Sequence, residues 1–335
     1  MTVREARKQA VQLLSSAEFS KQVSPTPALD ADCILCGMLC TNRSFLLAHD
    51  DKRLSRSERK TFFKRIAQRA KGIPVAYITG RKEFFGFDFC VSPAVLIPKP
   101  DTELLVELAL SEIEKRAAGL KESANGCAGN CTGTAQASGG KTQLYIADVC
   151  TGSGCVILSI LKTLEQKYGG AYAGFQKKPH ILSCASDISL AALRIARKNR
   201  ARILDGSAVE KPRFFCADLL GFGPPSGTVC ANRYDVIVSN PPYVPSATAA
   251  ALLRDGRSEP LSALDGGKDG MDIIRRLIIQ AYRALKGGGV LLLETGEYNA
   301  SGTRKALTKA GFSDIITFND LSGLPRVTAA QKPSE

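Results

Sequence analysis

The residues Asn240, Pro241, Pro242 and Tyr243 end an apolar run, "VIVSNPPYVP", with one amide, two prolines and an aromatic ring. Proline fixes φ and has no backbone N–H, so the carbonyl of Pro241 can face a cleft as a bare acceptor, with the Asn240 side chain as a second acceptor beside it. Two fixed acceptors suit a planar NH2 group: they hold both of its donors and aim the nitrogen at an electrophile, while the ring of Tyr243 offers a face for the group to lie against. The competing reading of the same residues is a proline-rich turn that closes a strand.

Three more apolar runs end in polar residues. In "ADVCTGSGCVILSI", Gly152 and Gly154 form a turn that opens a helix and lets backbone approach a ligand. "HILSCASD" ends in Asp187, whose carboxylate can accept from both hydroxyls of a ribose, and "RFFCADLL" passes through Asp218. Asp187 or Asp218 could instead cap the helix that follows. Four such strand ends together point to a nucleoside-containing ligand.

The elements that must position these ends are legible in the hydropathy pattern. From Gln143 onward, strand-like runs ("QLYIADVC", "HILSCASD", "RFFCADLL", "RYDVIVSN", "GVLLLETG") alternate with helical ones such as "SLAALRIARKNRA" and "MDIIRRLIIQAYRALKGGG". This predicts an α/β, doubly wound, Rossmann-like and mostly parallel sheet with ligands at the carboxyl ends of its strands. Residues 1–80 read as a small bundle of amphipathic helices, with Asp30 or Asp32 starting the helix through "CILCGMLC". Residues 81–100 read as a hairpin linker around Gly86, and residues 101–335 as the α/β domain. Within that domain, residues 115–142 have Leu120 as their only large aliphatic side chain, which predicts a flexible insertion.

The composition narrows the classes. No apolar stretch among the 335 residues reaches the ~18 needed to span a membrane, so a cytoplasmic protein without a membrane partner is expected. Eleven cysteines, most of them in apolar runs, suit reduced, buried thiols rather than a secreted disulfide framework. Cys33, Cys36 and Cys40 share a helix face, but with only His49 and His180 elsewhere no metal is expected. The net charge of +13 is concentrated between Asp51 and Lys82, where eleven Lys or Arg face two acids. That stretch is either a solvated helix face or a surface that meets nucleic acid or an acidic protein.

With these segments in order ("PVAYITGRKEFFGFDFCVSPAVLIPKPDTELLVE", "DVCTGSGC", "DIS", "SNPPYVP", "EPLSALDGGKDGMDIIRRLI", "DLSGLPRV"), the chain resembles the release-factor glutamine methyltransferases, which use S-adenosylmethionine. The resemblance implies an N-terminal helical substrate-recognition bundle and a methyltransferase domain acting on the glutamine of the Gly-Gly-Gln motif of class I peptide chain release factors, with no direct need for nucleic acid. It also implies site roles. Cys150, Thr151, Gly152, Ser153 and Gly154 would lie along the methionine part of the cofactor, Asp187 would bind its ribose, and Asp218 and Leu219 would border its adenine. Asn240, Pro241, Pro242 and Tyr243 would hold the substrate glutamine, with Asn240 also near the cofactor and with Asn240, Pro241 and Tyr243 as the catalytic set.

Two positions depart from the family pattern: Cys150 stands where glycine is usual, and Lys99 where arginine is common. Two other functions remain open to the same residues. One is an adenine-N6 methyltransferase on DNA or RNA, because a flipped base also presents an NH2 group. Against it, only about 30 residues separate Tyr243 from the next expected helix, too few for a target-reading domain. The other is a non-catalytic release-factor or ribosome-binding protein, which the intact Asn240, Pro241 and Tyr243 speak against.

Overall fold

The structure is a computed structural model and describes residues 1–16, 24–125, 143–169, 180–207, 209–223, 228–254 and 259–334. Among the described residues five helices come first: α1 (Val3–Ser16), α2 (Pro27–Leu39), α3 (Arg43–Ala48), α4 (Arg56–Ala70) and α5 (Val75–Thr79). Apolar positions at helical spacing, among them Ala6, Ala10, Leu14, Ile34, Leu35, Phe62 and Ile66, meet in one core. Ser55 and Glu58 close the start of α4 with a reciprocal capping box. Arg59, Lys60 and Lys64 are exposed on the outer face of α4, whereas Arg65 is half-buried.

Asp30 and Asp32 do not start α2, which begins at Pro27. Both are buried and paired instead: Asp30 accepts from Ser24 and Arg69, and Asp32 from Arg7 and Arg43, so the two carboxylates lock α2 to α1, α3 and α4.

Strands β1 (Arg81–Phe84) and β2 (Phe87–Cys90) form the expected hairpin, turning through Phe85 and Gly86 at φ 52° and 76° as a two-residue hairpin loop requires. Phe84 and Phe89 insert into the core of the α/β domain. Asn199 fastens the hairpin further: it accepts from the Cys90 amide at 2.7 Å and donates to the Cys90 carbonyl at 3.0 Å and the Ser153 carbonyl at 2.9 Å.

A single 3-10 turn, Pro100–Thr102, leads into α6 (Glu103–Asn125). That helix corrects the start of the expected insertion, because helix-favouring residues carry it past Lys115 as far as Asn125. Residues 126–142 lie outside the described residues.

The α/β unit continues with β3 (Gln143–Val149), α7 (Cys155–Gly169), β4 (His180–Asp187), α8 (Leu190–Ile203), β5 (Arg213–Cys216), β6 (Tyr234–Ser239), α9 (Ser246–Arg254), α10 (Asp272–Ala284), β7 (Leu285–Glu294), α11 (Ala300–Lys309), β8 (Ser313–Asn319) and β9 (Pro325–Gln331). The sheet order is β5-β4-β3-β6-β7-β9-β8; the first five strands are parallel, and β9 runs antiparallel to both β7 and β8. Alternate residues of β3 face opposite cores, Leu144 and Ile146 one and Ala147 and Val149 the other, so the sheet is covered on both sides. The strand order reverses between β3 and β6, the place where an open sheet forms a crevice.

Three details differ from the sequence reading. The β8–β9 pair and the short helix α9 were not anticipated. Burial of the cysteines is only partial: Cys90 and Cys184 are buried, but Cys40 and Cys216 are exposed, and so is Cys33, because the core face of α2 belongs to Ala31, Ile34 and Leu35. Among the described residues no helix is long and apolar enough to cross a membrane.

Candidate active site

A cleft of about 630 Å3 opens at the carboxyl ends of β3, β4 and β6. The glycine turn after β3 forms one wall. Gly152 (φ 55°) has open space where a side chain would stand, so its backbone is accessible from the cleft. Gly154 (φ 80°) packs where a Cβ would lie 3.1 Å from Leu158 and 3.4 Å from Ala196, so glycine there brings α7 and α8 close together. Cys150 adopts φ 62°, a left-handed conformation that costs a residue with a side chain and that glycine would adopt freely. Burial drives its thiol well above the ordinary range.

Asp187 is not the cap of α8. Ser189 is, accepting from the Ala192 amide. The carboxylate of Asp187 instead bridges two backbone N–H groups, that of Gly152 at 2.9 Å and that of Ser189 at 2.9 Å, so it holds the turn after β3 against the start of α8 while lining the cleft. Burial raises its pKa against the pull of those two donors. Asp218 lines the cleft and is half-exposed, paired with Arg276. Leu219, also at the cleft, takes φ 55° and accepts from the Ser186 hydroxyl through its carbonyl at 2.7 Å.

Asn240 follows the last residue of β6 and faces the cleft with Pro242. Its Nδ2 donates to the Thr102 hydroxyl at 3.1 Å, which leaves Oδ1 as an acceptor. Pro241 is buried and Tyr243 half-buried; neither lines the cleft, nor does Gly154. The Tyr243 hydroxyl reaches Glu294 Oε1 at 3.4 Å, and its carbonyl accepts from Tyr298 at 3.4 Å. Lys99 lines the cleft and pairs with the buried Glu259 at 2.7 Å, which ties the segment before α6 to the 3-10 turn Leu261–Ala263.

The sequence reading passed over three residues. Asp148 is buried at the cleft and accepts from the Thr151 hydroxyl at 2.6 Å, and desolvation pushes its carboxyl up to about 7. Thr102 is the partner of Asn240 from 138 positions away, which no local pattern signals. Glu294 ends β7 as Asp187 ends β4, so the rule that flagged the other strand ends applies to it as well.

Residues 5–80 match the family model described as the PrmC N-terminal domain. The chain is 34% identical over 335 residues, all of both chains, to the release factor glutamine methyltransferase of Koribacter versatilis. It is 33% identical over 313 residues, covering 93% of this chain and 94% of the relative, to the enzyme of that name from Burkholderia pseudomallei. With the one from Coxiella burnetii it shares 32% identity over 332 residues, 99% of each. Relatives of one name thus align along the whole chain, from bundle to final strand, and the protein belongs to the release factor glutamine methyltransferase family of S-adenosylmethionine-dependent enzymes.

Proposed function

We propose that the enzyme methylates the side-chain amide nitrogen of the glutamine in the Gly-Gly-Gln motif of class I release factors, in the cytoplasm, with Asn240 at the cleft and the carbonyl of its buried neighbour Pro241 as acceptors for the substrate NH2 group. The observation that carries this reading is the Asn240–Thr102 bond: both Asn240 and its partner are fixed, and the free Oδ1 belongs to a residue that lines the cleft.

The cleft suits S-adenosylmethionine. Asp187 offers a carboxylate anchored by two amides, the turn at Gly152 leaves room for close approach, and Leu219 supplies an apolar wall. When bound, the cofactor supplies an electrophilic methyl group. Every other demand falls on the chain. An amide nitrogen is a poor nucleophile, its lone pair being delocalised, so orientation carries much of the rate. As positive charge develops on that nitrogen, its N–H groups become stronger donors, and the bonds to Asn240 Oδ1 and the Pro241 carbonyl tighten. Tyr243, held by Glu294, keeps the turn that presents both acceptors in place. The exposed basic face of α4 supports a docking role for the bundle, away from the reacting group.

The test is to offer labelled S-adenosylmethionine with an intact class I release factor, duplex DNA and RNA in parallel, and to map the methylated position by mass. Methyl on the Gly-Gly-Gln glutamine is expected, with turnover of Asn240→Ala lower by about tenfold or more. Methyl on adenine, or Asn240→Ala turnover within about threefold of the parent, would refute the reading.

A further inference from the structure

Glu294 lies one step beyond the last paired positions of β6 and β7, Ser239 with Leu293, beside the Asn240–Tyr243 turn. Only 1% of it is exposed. A carboxyl so buried normally has both oxygens bonded, because stripping water from it is otherwise costly. Among the described residues the one hydrogen bond of ordinary geometry to this carboxyl is the long contact of Oε1 with the Tyr243 hydroxyl, 3.4 Å, and Oε2 has no such partner. Arg326, the cation that acts on it, is shared between Asp320 at 2.8 Å and Asp101 at 3.3 Å. The Thr102 hydroxyl stands beside the carboxyl and favours its ionised form, and the same hydroxyl oxygen receives the Asn240 Nδ2–H at 3.1 Å. An acceptor with capacity to spare therefore sits next to both arms of the substrate site.

We propose that Glu294 is a positioning residue for methyl transfer: its carboxylate takes the hydroxyl hydrogens of Thr102 and Tyr243, which leaves Thr102 Oγ1 as the acceptor for Asn240 and keeps Asn240 Oδ1 turned to the substrate amide. The inference rests on Asn240 holding that amide. Protonation reverses the arrangement. A neutral carboxyl becomes a donor, competes for the lone pairs of Thr102, and removes a negative charge from beside a nitrogen that becomes positive during transfer.

The groups facing Glu294 are Asp101 and Thr102 from the 3-10 turn, Arg326 from β9, Tyr243 after β6 and Cys155 from α7. Burial dominates among them and pushes the carboxyl up to about 7; the Thr102 and Tyr243 hydroxyls and Arg326 oppose it, and Asp101 adds to it. Cys155, raised to about 12, stays neutral throughout the relevant range. Asp148 also titrates near 7, but at the cofactor turn, so its effect belongs to cofactor affinity rather than to kcat at saturation.

The experiment measures kcat on an intact class I release factor at saturating cofactor between about pH 5.5 and pH 8.5, for the full-length parent, Glu294→Gln and Thr102→Val, with cofactor Kd by calorimetry. The parent kcat should rise about tenfold through a limb centred near neutrality. Glu294→Gln should lose about tenfold in kcat at pH 8, flatten the limb, and keep cofactor Kd within about twofold. Thr102→Val should lower kcat and flatten the same limb with the carboxyl intact, and it decides the matter if Glu294→Gln fails to fold. A limb and kcat that survive either folded variant would overturn the proposal, as would a flat parent profile. A parent inactive on the release factor at every pH would overturn the substrate reading as well, and so is a separate result.

Discussion

The substitution Glu294→Gln should stabilise the protein above neutral pH and cost it about 1 kcal/mol in acid. Burial raises this carboxyl from an ordinary 4.5 to about 7, so the native state holds its proton more tightly than the unfolded chain does. Below pH 4.5 both states are protonated and the group costs nothing. Between 4.5 and 7 the unfolded chain releases the proton and the native state does not, so native stability falls by about 1.4 kcal/mol per pH unit. The loss levels off above pH 7 at up to about 3 kcal/mol. Glutamine has nearly the same shape but no charge to desolvate. It brings an NH2 group that finds only part of its bonding, at a cost of about 1 kcal/mol, so the expected net gain at pH 8 is about 1–2 kcal/mol. Urea denaturation followed by far-UV circular dichroism at pH 5 and pH 8 reads the difference directly. A variant that loses more stability at pH 8 than at pH 5 would show that the ionised carboxylate stabilises the fold, and would refute the desolvation argument. The expected pairing of a sturdier protein with slower transfer is the signature of a strained functional group.

Asp187→Ala should weaken cofactor binding by about tenfold or more, because it removes the facing carboxylate and the acceptor of two turn amides; unchanged affinity by calorimetry would reassign Asp187 to purely structural work. Cys150→Gly should be more stable than Cys150→Ala by about 0.5–1 kcal/mol, since alanine keeps the left-handed strain that glycine relieves; the reverse order in denaturation would refute the strain. Reversing the exposed charges Arg59, Lys60 and Lys64 should slow methylation of an intact release factor, most at low salt, and spare a short Gly-Gly-Gln peptide. Arg65 is left out because one of its guanidinium nitrogens is buried. An unchanged ratio of intact factor to peptide at two salt concentrations would make that face merely solvated.

The parts of the fold written in local pattern were legible. Strands buried on both faces read as continuous apolar runs, and their polar ends stand out against them, so the strand-end positions of Asp187 and Asn240 at the cleft could be read without coordinates. Residues whose role depends on distant partners were not. Asp30 and Asp32 looked like helix starts because capping is a local rule, whereas their arginines come from three other helices. Thr102 lies in an ordinary "PDTE" helix start, and only the fold brings it to Asn240. Strand β8 alternates between exposed and half-buried positions at the sheet edge, so it carries too little apolar signal to be told from loop.

Asn199 gives the joint between the two lobes an unexpected stiffness. By gripping the hairpin backbone at Cys90 with one end of its amide and the Ser153 carbonyl of the cofactor turn with its NH2 group, it makes the connector and the turn a single mechanical piece. The hairpin that leads out of the helical lobe is thereby tied to the turn that lines the cleft. A protein docked at the outer end would then arrive with its orientation already set, and tightening of the turn after β3 should be felt in the hairpin as slower exchange of the Cys90 amide hydrogen.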